Sequence, residues 1–170
     1  MTTPGPTAEP DQAGVPDGSG RRLRPAAHPS ADVVSDQLAR SVQATHIAWA
    51  RMGAEFGLLT SSQVAEVLGA RPSNRMLASR KRAAHLITGI VRGNAVLYPG
   101  FQFDRVHGKI LPLMGRLIGL AMANGWTEHD LLLWLCGPNT SFKEEDRPVD
   151  HFHDPDSVIA AARNEFETQW

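Results

Sequence analysis

The chain has 170 residues, 42% of them hydrophobic, and a formal net charge of −1. That size suits one ordinary domain or two very small ones, with enough apolar material for a core. The longest apolar stretch, residues 110–123, is broken by Pro112, Gly115, Arg116 and Gly119, well short of the roughly 20 residues a membrane span needs, so no membrane role is expected.

Residues 1–31 are rich in Pro, Gly, Ala, Ser and Thr and hold almost no large apolar groups. Too little surface can be buried there to offset ordering entropy, so a disordered N-terminal arm is expected. Its opening, MTTPGPTAEPDQ, has neither a charged n-region nor an apolar h-region, and no secretory signal is expected. The cluster Arg21-Arg22-Leu23-Arg24 makes this arm either a solvated linker or a DNA-touching extension.

Residues 32–56 read as a helix that Asp32 can cap and Gly57 ends. Val34, Leu38, Val42, Thr45, Trp49, Met52 and Phe56 recur at three- and four-residue steps. Such a stripe either packs on the following domain or meets its own copy in a dimer. LLTSSQVAEVLG then gives a short helix capped by Thr60 or Ser61, with Val64, Ala65, Val67 and Leu68 as its apolar face and Gly69 as the turn. A second helix, RMLASRKRAAHL, is expected to start at a Ser73 or Asn74 cap. Met76, Leu77, Ala83, Ala84 and Leu86 are expected to face inward, and Arg75, Arg80, Lys81 and Arg82 outward. ITGIVRGNAVLYP reads as a β-hairpin about Arg92-Gly93-Asn94.

Tyr98 to Asp104 is expected to be a loop that anchors aromatics in the core. A helix apolar on more than one side is expected from about Val106 to Asn124, starting near Lys109 if Pro112 is to fall in its first turn. Thr127 and Asp130 form a capping box for the next helix, whose body is Leu131–Leu135 and whose stop is Gly137-Pro138. Residues 138–154 read as a polar loop. Residues 155–167 make the last helix, with Asp154 as cap and Val158, Ile159, Ala162 and Phe166 as its stripe. The expected fold is therefore mainly α: a helix-turn-helix with a small β-hairpin wing (32–98) after the arm (1–31), then a C-terminal helical bundle (99–170).

Charge is split along the chain. Residues 67–103 hold six basic side chains and no acid, whereas residues 126–170 hold ten acids and three bases. The basic block suits a polyanion and the acidic block a basic protein surface. Ser73, Asn74 and Arg75, at the start of the basic helix, are placed to reach base edges in double-stranded operator DNA, and Arg80, Lys81, Arg82 and Arg92 to reach phosphates. A solvated basic helix in a structural module is the alternative.

Chemistry of the catalytic kind has little to stand on. His151-Phe152-His153-Asp154 comes without CxxC or HExxH, so a polar surface loop is expected and no metal. Cys136 lies among Leu132, Leu133, Trp134 and Leu135, the setting of a buried structural thiol. As the lone cysteine it fits a reducing cytoplasm. Gly115 to Gly119 lacks the lysine and hydroxyl of a phosphate loop. No enzyme activity and no cofactor are expected. Trp126 and Trp134 read as core, and Trp170 as an indole anchor for a partner pocket.

The C-terminal half carries a recognisable series: Phe101-Gln102-Phe103-Asp104, Gly125-Trp126, Leu133-Trp134-Leu135-Cys136-Gly137-Pro138-Asn139, Arg147-Pro148-Val149-Asp150, Asp154-Pro155-Asp156 and Ala160-Ala161-Ala162-Arg163. Over roughly residues 98–167 it resembles the Xre/MbcA/ParS-type toxin-binding domain of antitoxins. The stretch Ser141–Asp146 departs from the small, glycine-containing segment usual there. The resemblance implies a RES-domain, NAD-consuming toxin as partner, contacted through Asn139, Arg147, Asp150 and Arg163, with Trp170 as a further anchor expected from its place at the helix end. It also implies repression of the chain's own operon, as a homodimer or a toxin–antitoxin hetero-oligomer. The alternative is a stand-alone helix-turn-helix transcription regulator with no toxin.

Overall fold

The computed structural model describes residues 31–168, with side chains from Ser35 onward. The arm is thus outside the described residues up to residue 30, and so is Trp170. The protein is mainly helical with small antiparallel sheets. In chain order the elements are α1 (Ala31–Phe56), β1 (Leu58–Leu59), α2 (Ser61–Val67), α3 (Met76–Ala83), β2 (Ile90–Arg92), β3 (Ala95–Pro99), β4 (Phe103–Asp104), β5 (Lys109–Ile110), α4 (Pro112–Ala123), α5 (Glu128–Cys136) and α6 (Pro155–Phe166). One sheet has the order β1-β3-β2, with Leu58 opposite Pro99 and Ile90 opposite Leu97; β4 and β5 pair separately.

Local chemistry explains most boundaries. Gly57 ends α1 at φ 75°, a left-handed conformation that side chains resist. Thr60 caps α2 in a box with Gln63, and Thr127 caps α5 in a box with Asp130. The β2–β3 turn carries Gly93 at φ 56°. Pro112 and Pro155 sit in the first turns of α4 and α6, where a missing N–H costs nothing.

Several expectations need correction. The helix expected from about Val106 is a hairpin there: Asp104 Oδ1 accepts from the Val106 and His107 amides at 3.1 and 3.0 Å, Gly108 takes φ 61°, and the helix waits until Pro112. Strand β1 is an addition to the expected elements; it forms because Leu58 and Leu59 find the free edge of β3. Neither Ser73 nor Asn74 caps α3; Arg75 holds the N-cap position and makes no side-chain cap bond. Ala83, Ala84 and Leu86 are exposed rather than inward, and Met76 is 61% exposed. Ala78 and Ile87 fill the core in their place. The polar loop 138–154 contains two 3-10 turns, Lys143–Glu145 and Pro148–His151.

Among the described residues the core has three clusters. Val64, Ala78, Ile87, Tyr98 and Phe103 fill the first, so it extends past the expected boundary at residue 98. Leu113, Met114, Leu117, Leu131, Leu135, Val158, Ala162 and Phe166 fill the C-terminal one. Trp49 and Met52 of α1 join Ile90 of β2 and Leu132 of α5 in a third, which sews the two halves together.

Gly100 is a close-approach site. Its N–H donates to the Gly57 carbonyl at 3.0 Å, and an added Cβ would collide with the Phe56 carbonyl oxygen and lie 2.6 Å from Arg105 Nη2. Gly100→Ala is expected to lose about 1–3 kcal/mol, the cost of overpacking a site that backbone cannot vacate. Gly119→Ala, where nothing lies within 4 Å, is expected to gain about 0.5–1 kcal/mol from helix propensity. Urea denaturation of the two variants reads both signs.

Candidate nucleic-acid interface

Helix α3 rests on the first core through Ala78, which is fully buried, with Leu77 half-buried beside it. This fixes which face looks out. Met76, Ser79, Arg80 and Ala83, spaced three and four apart, are all exposed. Arg71, Pro72, Ser73, Asn74 and Arg75 are exposed in the turn that leads in. The outward surface from Arg71 to Ala83 is therefore basic and free of carboxylates. Arg92 is exposed at the end of β2, next to the exposed turn Gly93-Asn94.

Of the seven residues assigned to DNA from sequence, five are thus on the surface: Ser73, Asn74, Arg75, Arg80 and Arg92. Two are partly covered. Arg82 lies one turn after buried Ala78, with its side chain 32% exposed. Its Nε donates to both oxygens of Glu128 at 2.9 and 3.1 Å, and the Gly89 amide donates to the same carboxylate at 3.1 Å. Lys81 is half-buried and lines an apolar groove with Leu68, Leu77, Leu86 and Ile110. Met76, by contrast, belongs to the exposed face, against the inward position expected of it. Its only signal in sequence is the four-residue step to Arg80.

The residues assigned to partner binding are mostly engaged within the chain. Arg147 donates to both carboxylate oxygens of Glu55 on α1 at 2.7 Å, and to Asp150 at 2.7 and 2.9 Å. Its guanidinium also lies 5.7 Å from the Phe56 ring centroid. Asn139 is buried, and its Oδ1 accepts from the Ser141 amide at 2.9 Å while its own amide donates to the Asp146 carbonyl. The RPVD stretch is thus a clasp that fastens the 3-10 turn to the end of α1. Asn139 is buried and Arg147 is held in the clasp, so neither is the free contact residue expected; Asp150, though paired with Arg147, is exposed, and so is Arg163 on α6 beside Arg116, Leu120 and Ile159.

The clasp carries a pH dependence. Hydrogen bonds from Arg147 hold both Glu55 and Asp150 below the ordinary carboxylate range. Carboxyls that bind protons less readily when folded add stability above their unfolded pKa and lose it as pH falls through the folded value. Arg147→Ala is therefore expected to cost about 1–2 kcal/mol at neutral pH, discounted for the exposure of all three partners. The deficit is expected to shrink as pH falls below the unfolded carboxyl values of about 4 and through the lower folded ones. Denaturation of both proteins across that range is the measurement.

Cys136 is half-buried, and burial pushes its thiol up to about 12, so it stays protonated at neutral pH. His151 stacks on Phe142 at 4.2 Å and its Nε2 lies 3.2 Å from an Asp146 oxygen. Trp126 and Trp134 both pack on Phe166. Among the described residues no group of three or more His, Cys, Asp or Glu could hold a metal ion, and no helix is long and apolar enough to cross a membrane.

No protein-family model matches the chain, and no curated protein matches it. Among solved structures it is similar to the NMR structure of Rv2175c, with a TM-score of 0.53 and 22% identity, over 66% of this chain and 82% of that one. At that identity the likeness concerns the fold alone.

Proposed function

We propose that this chain is a DNA-binding transcription regulator of the winged helix-turn-helix type. Helix α3 enters the major groove and the β2–β3 hairpin serves as the wing. The observation that carries this reading is the exposed, carboxylate-free face of α3 with Ser73, Asn74 and Arg75 at its entry. The order α1-β1-α2-α3-β2-β3, with strands arranged β1-β3-β2, is that of a winged helix-turn-helix and supports it. Its place of work on this reading is the cytoplasm. Titration of fluorescent duplex DNA from the chain's own upstream region, over a series of salt concentrations, is the test. Affinity that falls steeply with salt and exceeds that for unrelated duplex is expected; no binding at low salt sinks the reading.

A second reading adds toxin neutralisation to the same DNA role. The WLCGPN and RPVD series over residues 98–167, similar to the toxin-binding domain of antitoxins, favours it. Because Asn139 and Arg147 are committed to the fold, a toxin would meet the exposed Asp150 and Arg163 and the surface around Arg163. Co-expression with a RES-domain toxin encoded next to this chain should then preserve cellular NAD, and Arg163→Glu should abolish the protection. Unprotected NAD loss with the wild-type chain leaves the stand-alone regulator.

A further inference from the structure

We propose that the N-terminal half of α1 is an interface between two copies of this chain, and that its occupant is α1 of the second copy. Every side chain from Ser35 to Ala44 is exposed, whereas Trp49 and Met52 further along the same helix are buried. Among the described residues nothing supports these early turns, and an isolated helix of that length is marginal in water. Leu38, Val42, Thr45, Trp49, Met52 and Phe56 follow one another at steps of four, three, four, three and four residues, the spacing of a coiled-coil seam. The inner part of this seam packs on Ile90 and Leu132. Its outer part leaves Leu38 64% and Val42 51% exposed.

A groove of about 950 Å³ runs beside that outer part. Val42, Thr45 and Trp49 form one wall, and Ile90 and Val91 of β2 with Leu132 of α5 form the other. Val91 is 65% exposed there. Arg82 and Glu128, paired with each other at 2.9 Å, and Arg92 also line it. Each chain therefore has an apolar helix stripe without a partner among the described residues and, next to it, a groove open to one. A two-fold axis that lays the two α1 helices against each other answers both at once, since an isologous contact uses the same patch twice.

Charge favours a second copy over a different partner. Between residues 35 and 50 the charged side chains are Asp36 and Arg40, one of each sign. The positions flanking the seam include Ala39, Ser41 and Ala48, which are small and uncharged. Two copies meet there without like-charge repulsion. On this stretch of α1 a strongly acidic or basic partner finds no complement, and in the groove Arg82 is already paired with Glu128.

The inference stands apart from DNA binding and can hold where that reading fails. Sedimentation velocity of the full chain at tens of micromolar is expected to show a species at twice the 18.5 kDa chain mass. Leu38→Glu with Val42→Glu is expected to weaken that dimer at least about a hundredfold, with Tm unchanged only at protein concentrations low enough for both proteins to be monomeric, because both side chains are exposed in the single chain. A short bismaleimide should join chains carrying Val42→Cys and leave chains carrying Arg163→Cys apart. A monomeric wild type overturns the proposal, as does a dimer indifferent to the two glutamates or cross-linking equal at both cysteine positions.

Discussion

Alanine at both Arg75 and Arg80 is expected to weaken binding to duplex DNA by at least about a hundredfold, to lower the salt slope by about one through Arg80, and to relax preference among duplexes through Arg75. Both side chains are exposed, and neither makes an ion pair with a described residue, so nothing inside the protein competes for them. Each charge placed on a phosphate releases about one counterion, and removing a DNA-bound arginine costs about 1–3 kcal/mol. Asn74→Ala and Met76→Ala are expected to behave differently. Their side chains are uncharged, so the slope should hold while preference among duplexes relaxes. Asn74 would give up an amide hydrogen bond to a base edge, and Met76 its apolar packing on a thymine methyl. Anisotropy titrations over several salt concentrations separate the two outcomes. Equal affinity and equal slope for wild type and the double arginine variant would falsify the role given to α3.

What can be read from the sequence is local. The cap at Thr60, the capping box at Thr127, the Gly93 turn and the proline in the first turn of α4 and of α6 each involve residues within a few positions of one another, and each is present in the structure. The β4–β5 hairpin is hidden because apolar Ile110 and Leu111 continue the pattern of α4, and only the Asp104 side chain, satisfying two amides, turns the chain before it. The side of α3 that Met76 and Arg82 occupy is not legible, because a short helix between two loops has no phase of its own. The neighbours of Ala78 set it, and those come from α2 and β3. The RPVD stretch is legible as a motif but not in its work. Arg147 finds Glu55 across 92 residues, a distance that sequence spacing cannot foresee. A residue that helps make a motif recognisable can be required by the fold that carries a surface and take no part in the surface itself.

The same long-range logic makes Glu128 the second site of large expected effect. Its carboxylate accepts from Arg82 on α3, from the Gly89 amide just before β2, and stands at the first turn of α5. One side chain thus links the proposed recognition helix, the root of the hairpin and the C-terminal half. Glu128→Ala leaves the buried Gly89 N–H and a half-buried guanidinium without their acceptor and removes an acid from the α5 N-terminus. The expected loss is about 2–3 kcal/mol. Arg82→Ala should cost less, because the carboxylate keeps the Gly89 bond, and the double variant should lose less than the two single losses added together. DNA affinity should fall in Glu128→Ala, since α3 loses its tether, but the salt slope should stay at the wild-type value, since every phosphate-binding side chain is still present. Arg82→Ala puts this to the hardest test. A guanidinium held by Glu128 leaves the slope unchanged when deleted, whereas one that neutralises a phosphate lowers it by about one. A lowered slope with unaltered stability would return Arg82 to the DNA-contacting set and break the tether.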